Sequence, residues 1–186
     1  MRLFVALEIS STLRENLAEL LKSLRSMSPQ IRWARPENLH VTLKFIGEVS
    51  EARLADIRNA LVGVRSEQPV TLDFRRLGFF PNEKHRRVFW AGIDASPNLK
   101  TLAADIEAAT EKLGIPAEKR PFSPHLTLAR FEHPRLLEKL GPAIQESAGR
   151  DFGSLCAKDF HLIESKLEPS GAEYTTLESF PFAAEV

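Results

Sequence analysis

The tetrapeptide His-x-Thr-Leu occurs twice in this chain of 186 residues, as His40-Val41-Thr42-Leu43 and as His125-Leu126-Thr127-Leu128. In a chain of this composition one copy is expected by chance about 0.03 times, so the pair is read as a repeated unit. Both copies lie in apolar, β-branched surroundings and read as strands. The first runs over Leu39 to Ile46, the second over His125 to Leu128 with its neighbours. Side chains alternate faces along a strand, so His40 and Thr42 project together, as do His125 and Thr127. The fold must therefore supply two strands, each with an imidazole and a hydroxyl on one face and apolar residues on the other. Two such faces on one cleft hold two histidines, two hydroxyl donors and no nucleophile. That inventory suits acid–base chemistry on a phosphate.

The rest of the composition narrows the setting. The length fits one domain or two small lobes. With 43% hydrophobic and 27% charged residues the chain has the make-up of a soluble globular protein. Formal net charge is zero, which argues against coating long stretches of nucleic acid, where each phosphate contact needs a cation. Recognition of one or two phosphates at a strand end stays open. The single cysteine, Cys156, forms no internal disulfide, and Met1 to Ser10 lacks the pattern of a secretory signal. A reducing, cytoplasmic location is expected, with Cys156 a buried small residue. No apolar run approaches the roughly 18 residues of a membrane span.

Along the chain, Arg2 to Glu8 reads as a strand. Thr12-x-x-Glu15 reads as a capping box before a helix through Leu13, Leu17, Leu20, Leu21 and Leu24. A short strand at Ile31 to Trp33 and a turn at Pro36-Glu37-Asn38 lead into the first motif strand, which Gly47 ends. Leu54, Ile57, Leu61 and Val64 mark a second helix, and Val70, Leu72 and Phe74 a half-buried strand. Gly78 to Lys84 reads as a loop and Val88 to Ile93 as a strand. Ser96-Pro97 opens a third helix through Leu99, Leu102, Ala103, Ile106 and Leu113, stopped by Gly114. Leu136, Leu137, Leu140 and Ile144 mark a fourth. Strands over Phe160 to Leu167 and Tyr174 to Phe180 close the chain. Adjacent strands without intervening helices point to an α+β fold rather than a doubly wound sheet. One motif in each half hints at an internal duplication, without self-similarity beyond the motifs.

Hydrolysis of a five-membered cyclic phosphodiester shows what the motifs permit. Water attacks phosphorus from one side while an alkoxide leaves from the other. A neutral imidazole takes the proton from water and a protonated one gives its proton to the leaving oxygen, because histidine titrates near neutrality. Each role is worth roughly 10²–10⁴ in rate. Thr42 and Thr127 would donate to non-bridging oxygens or orient the imidazoles. Neither motif carries an adjacent carboxylate or cysteine, so neither a metal nor a cofactor is expected.

These blocks resemble the 2H phosphoesterase superfamily, whose signature is two His-x-Thr motifs, and within it the RNA 2',3'-cyclic phosphodiesterases, also called 2'-5' RNA ligases. The resemblance is carried by residues 1–7, by Arg32-Trp33 with 35–47, by 121–130, and more weakly by Glu164-Ser165, Gly171 and Tyr174. It implies one domain over residues 1–186, bilobed, with two antiparallel sheets and outer helices flanking a central cleft in a pseudo-two-fold arrangement. It implies His40 as proton donor to the departing 3' oxygen and His125 as proton acceptor from water, leaving a 2'-phosphate. Thr42 and Thr127 would contact phosphate oxygens. The residues themselves are symmetric as to which histidine is acid and which is base.

Arg130 is the phosphate-binding cation that the resemblance implies. It stands at an odd offset from His125 and reaches the cleft only if the strand ends, twists or bulges near Ala129. Lys84, Arg86 and Arg87, in the basic run Lys84-His85-Arg86-Arg87, read either as a landing site for RNA phosphates or as a solvated loop. Phe79 and Phe80 read as core, with stacking on bases as the alternative, Phe45 as core, and His133 and His161 as ordinary surface or hydrogen-bonded residues. Arg35 and Arg120 line the cleft or face solvent. The expected substrate is RNA ending in a 2',3'-cyclic phosphate or a small cyclic nucleotide, met by a monomer away from membranes. Sealing of 2'-5' bonds as the main task, or a non-catalytic module that binds RNA ends, are the competing readings.

Overall fold

β1 (Arg2–Glu8) buries Leu3, Val5 and Leu7 on one face and Phe4 and Ala6 on the other. A strand covered on both faces belongs inside a sheet. In a computed structural model, which describes residues 1–81, 87–133, 135, 138–169 and 171–182, β1 pairs antiparallel with β3 (His40–Glu48) and with β8 (Asp159–Glu168), and β9 (Gly171–Pro181) completes the order β3-β1-β8-β9. The second sheet has the order β2-β6-β5-β4-β7, from β2 (Arg32–Trp33), β6 (His125–Arg130), β5 (Val88–Ala95), β4 (Val70–Phe80) and β7 (Asp151–Ala157). Every neighbouring pair is antiparallel. The α+β class with two antiparallel sheets is therefore as expected from the sequence.

The two sheets repeat one plan. In each, a strand is followed by a helix and then by the motif strand that pairs with it: β1, α1 (Ser11–Met27) and β3 in one, β5, α3 (Asn98–Glu111) and β6 in the other. The helices are exchanged. α1 packs on β7 of the second sheet, while α3 packs on β3 of the first and beside α2 (Leu54–Val62). One continuous core fills the space between helices and sheets, and a separate small cluster of Phe4, Ala6 and Ile163 covers the other face of the first sheet. Among the described residues no helix is long and apolar enough to cross a membrane.

Four local expectations give way. Ser10, not Thr12, caps α1. Its extended backbone lets Oγ accept from the Leu13 N–H at 3.3 Å, whereas Thr12 is already helical. β4 runs on through Gly78–Phe80, in place of the expected loop. The register slips between Phe74 and Leu77, and Arg76 takes φ 67, which resets the alternation. The fourth helix is α4 (Gly141–Ser147), which buries Ile144 and has Pro142 in its first turn; Leu136 and Leu137 lie outside the described residues. Finally, Cys156 is exposed. It sits on β7, an edge strand that Gly153 and Ser154 hide from pattern reading, and Ala157 takes the inward phase instead.

One close approach orders the middle of the second sheet. Gly78 lies directly opposite Trp90, and a Cβ there would fall 2.3 Å from the indole ring. Gly78→Ala is therefore expected to cost about 1–3 kcal/mol, as overpacking does. Gly63→Ala, where a Cβ meets only the Ala60 carbonyl at 3.6 Å, should stay within about 0.5 kcal/mol of the parent. Urea unfolding of the two variants checks the contrast.

Candidate active site

β3 and β6 are alike well beyond the tetrapeptide. Over their first six residues both read half-buried, buried, half-buried, buried, buried, exposed. The fifth position breaks the alternation, and the ladders explain why. Thr42 faces Ala6 and Lys44 faces Val5, so Leu43 has no partner. Thr127 faces Trp90 and Ala129 faces Phe89, so Leu128 has none either. Each motif leucine is thus the extra residue of a β-bulge, and each bulge reverses the phase of the strand beyond it. Phe45 and Arg130, five residues after their histidines, return to the histidine face.

Arg130 accordingly lies opposite Val88 on the face of Thr127 and Trp90, turned there by a bulge one residue before the expected Ala129. Phe45, read from its odd offset as core, is 51% exposed opposite Phe4. The same bulge accounts for both. One strand delivers an aromatic ring and the other a cation at equivalent places.

The two motif strands are held side by side although they belong to different sheets. β2 pairs with β6, and just beyond it the Ala34 N–H donates to the Leu128 carbonyl at 2.8 Å. The chain then turns through Pro36–Asn38 directly into β3, whose Cα atoms come within 8 Å of those of β6. Arg14 donates to the Pro36 carbonyl at 2.6 Å, and the Asn38 amide donates to the Ala172 carbonyl at 2.7 Å. These bonds clamp the lead into His40 between α1 and the β8–β9 hairpin. The chain's repeat also reaches further back than the motifs, since Arg35-Pro36 and Arg120-Pro121 stand at equal distances before His40 and His125.

Each imidazole is anchored in the same way. His40 Nδ1 lies 2.5 Å from the Asn38 carbonyl and His125 Nδ1 lies 2.8 Å from the Ser123 carbonyl, two residues earlier in each case. A carbonyl only accepts, so Nδ1 carries the hydrogen in both rings and Nε2 is left for chemistry. Aromatic rings fix the imidazole planes. Phe4 and Tyr174 lie 4.7 and 5.1 Å from the His40 ring, and Phe80 meets the His125 ring edge-on at 4.8 Å. Phe80, read as core, thus belongs to the site, whereas Phe79 is buried as expected. Phe4 and Tyr174 stand in blocks that carry the resemblance but are given no role by it, and Trp90 carries no site signal in the sequence. Neither threonine hydroxyl is hydrogen-bonded within the described residues, so both are open to donate.

Burial shifts both titrations downward. The His40 pKa falls from 6.5 to about 4, through desolvation first and the Arg14 charge next, against the Asn38 carbonyl and Glu8, which favour the charged ring. His125 is lowered by burial first, with Arg130 adding to the effect and the Ser123 carbonyl opposing it. Without substrate both rings are neutral at pH 7.

Arg87 donates to the Glu132 carbonyl at 2.7 Å, beyond the end of β6. Lys84 and Arg86 lie outside the described residues. His161 is buried and bonded to Ser179 at 2.9 Å, an ordinary structural histidine. Among the described residues no three His, Cys, Asp or Glu side chains gather as a metal site would need.

Known proteins resemble this chain over nearly its whole length. The family model "LigT like Phosphoesterase" matches residues 7–90 and 93–174. The chain is 34% identical over 180 residues to the RNA 2',3'-cyclic phosphodiesterase of Methanothermobacter thermautotrophicus, covering 96% of this chain and 97% of that one. A solved protein of Thermus thermophilus superposes with a TM-score of 0.79 at 32% identity over 98% of both chains. E. coli LigT complexed with 3'-AMP does so with a TM-score of 0.75 at 26% identity over 97% of both.

The depressed His40 pKa has a consequence for stability. The unfolded chain binds a proton that the folded one resists, so stability is full above pH 6.5 and is lost as pH falls toward about 4. Between pH 7.5 and 4.5 His40 alone should cost roughly 2–3 kcal/mol. Urea unfolding at the two pH values should show a smaller acid loss in His40→Gln than in the parent.

Proposed function

The chain belongs to the LigT-like phosphoesterase family, and from that premise we propose that it hydrolyses RNA 2',3'-cyclic phosphate ends to 2'-phosphomonoesters, without a metal, by the paired action of His40 and His125. One observation carries the reading. Both imidazoles tie Nδ1 back to the carbonyl two residues earlier and keep Nε2 on the site face. The two lobes act as one unit, because each supplies one of the pair.

In the proposed step His125 Nε2 takes a proton from water as its oxygen bonds to phosphorus. The bond from phosphorus to the 3' oxygen breaks, and that oxygen receives the proton of His40 Nε2. The 2' oxygen keeps the phosphate. His125 ends protonated and His40 neutral, and exchange with solvent resets them. Thr42 and Thr127 donate to the non-bridging oxygens, and Arg130 balances their charge. The assignment of donor and acceptor follows the family. Arg130 keeps His125 neutral before attack, while at His40 the Arg14 charge outweighs that of Glu8 directly opposite, so the imidazolium there draws on the Asn38 carbonyl and the bound phosphate.

A short RNA with a 2',3'-cyclic phosphate, incubated in EDTA, tests the reading. Conversion to the 2'-phosphate is expected, with His40→Ala and His125→Ala each slower by about two orders of magnitude or more. Binding without turnover, or turnover only after metal is restored, would contradict it. The pH profile is a second check. Catalysis needs one ring charged and one neutral, and both free rings titrate below 6.5. kcat/KM should therefore peak below pH 6.5 and fall about tenfold per unit above neutrality. The bound phosphate anion favours the imidazolium, so the kcat profile should lie at higher pH than that of kcat/KM.

A further inference from the structure

A pocket of about 520 Å³ opens beside the second half of β3. One wall is Phe45, Ile46 and Gly47, and the other is the loop over residues 115–120. The loop wall presents Lys119 and Arg120, both exposed and neither in an ion pair or side-chain hydrogen bond among the described residues. Glu118 is the one acid beside them, so the wall is net positive. Seven other lysines and arginines pair with carboxylates among the described residues, as in Arg58–Glu178, Arg75–Asp94 and Arg150–Glu19. A neutral chain that leaves two adjacent cations unpaired beside an exposed aromatic ring has the makings of a single-stranded nucleic-acid contact.

The loop is fixed to the catalytic strand. Lys44, 1% exposed, donates to Glu107 Oε1 at 2.8 Å and to the Pro116 carbonyl at 2.7 Å, and the same Oε1 accepts the Glu118 N–H at 2.7 Å. Burying an ammonium group is costly unless it is paired in this way. The other motif strand has Ala129 at the equivalent position and needs no such device. Lys44 therefore serves the loop, not the strand. Phe45 links the pocket wall to the histidine site, since its ring lies 6.3 Å from that of Phe4 and the Phe4 ring lies 4.7 Å from that of His40.

We propose that this pocket receives the nucleotide on the 5' side of the reacting one, with Lys119 and Arg120 holding its phosphate, so that the enzyme acts on an RNA strand in preference to a free cyclic nucleotide. The proposal rests on the cyclic phosphodiesterase reading. A terminal ribose whose 2' and 3' oxygens carry the cyclic phosphate continues only through its 5' oxygen. Arg130 occupies the far lobe, at the reacting phosphate, which leaves the Phe45 side for the nucleoside and the strand behind it.

The test compares a hexaribonucleotide ending in a 2',3'-cyclic phosphate with adenosine 2',3'-cyclic phosphate, using the parent and Lys119→Glu/Arg120→Glu. The expected result is a loss of at least about tenfold in kcat/KM for the hexamer and less than about twofold for the mononucleotide. The salt dependence of the hexamer reaction should also weaken, by about 0.7 in the log–log slope for each phosphate the variant no longer neutralises. Equal losses on both substrates, or none on either, would overturn the subsite while leaving the reaction itself intact. A parent protein that hydrolyses neither substrate would overturn the reaction and the subsite together.

Discussion

Each motif strand carries one residue more than its partner can pair, and the site depends on that mismatch. The surplus residue is the leucine of His-x-Thr-Leu. Leu43 and Leu128 are 5% and 0% exposed and drive into the common core, a burial worth roughly 1.5–3 kcal/mol each. The bulge they impose lets the histidine, the threonine and the fifth residue after the histidine share one face. A regular strand would send Phe45 and Arg130 inward and break the core, because a shift of one residue exchanges the two faces of a strand. The leucine is thus a structural letter of the motif as much as histidine and threonine are its chemical ones.

On this symmetric frame the surroundings of the two histidines are asymmetric. Opposite His40 stands Glu8, and opposite His125 stands Gly92. His40 is flanked by Phe4 and Tyr174, His125 by Phe80. The bulge delivers a ring on one side and a guanidinium on the other. Repetition supplies two Nε2 atoms in matched settings, and their neighbours differ. Burial that keeps both rings neutral in the free protein also prepares them for an anion, since the phosphate itself supplies the charge that favours an imidazolium.

Much of this is legible in the residues. The motif pair, its two strands, the α+β class and the closing hairpin follow from repetition and alternation. What escapes are features in which tertiary pairing overrides local pattern. Arg130 reaches the site only on condition of a bulge, and the bulge is there; the same offset rule, applied without that condition, assigns Phe45 to the core. Arg75-Arg76 conceals the continuation of β4, because two polar residues in succession look like the end of a strand. Composition alone places Cys156 inside, and an edge strand puts it outside. The Arg-Pro pairs preceding each motif are a readable signal, since they lengthen the repeat toward Arg120 and its pocket. The aromatic setting of His40 is not readable, because Phe4 and Tyr174 come from opposite ends of the chain.

Both imidazoles, unliganded and at neutral pH, hold their hydrogen on Nδ1 and offer a bare Nε2 to the site. Long-range ¹⁵N–¹H correlation spectra of histidine-labelled protein at pH 7, assigned by comparison with His40→Gln and His125→Gln, measure this directly. A protonated Nδ1 and an unprotonated Nε2 are expected for both residues. A hydrogen on Nε2 of either neutral ring, or a fully charged ring in the free protein, would contradict the claim.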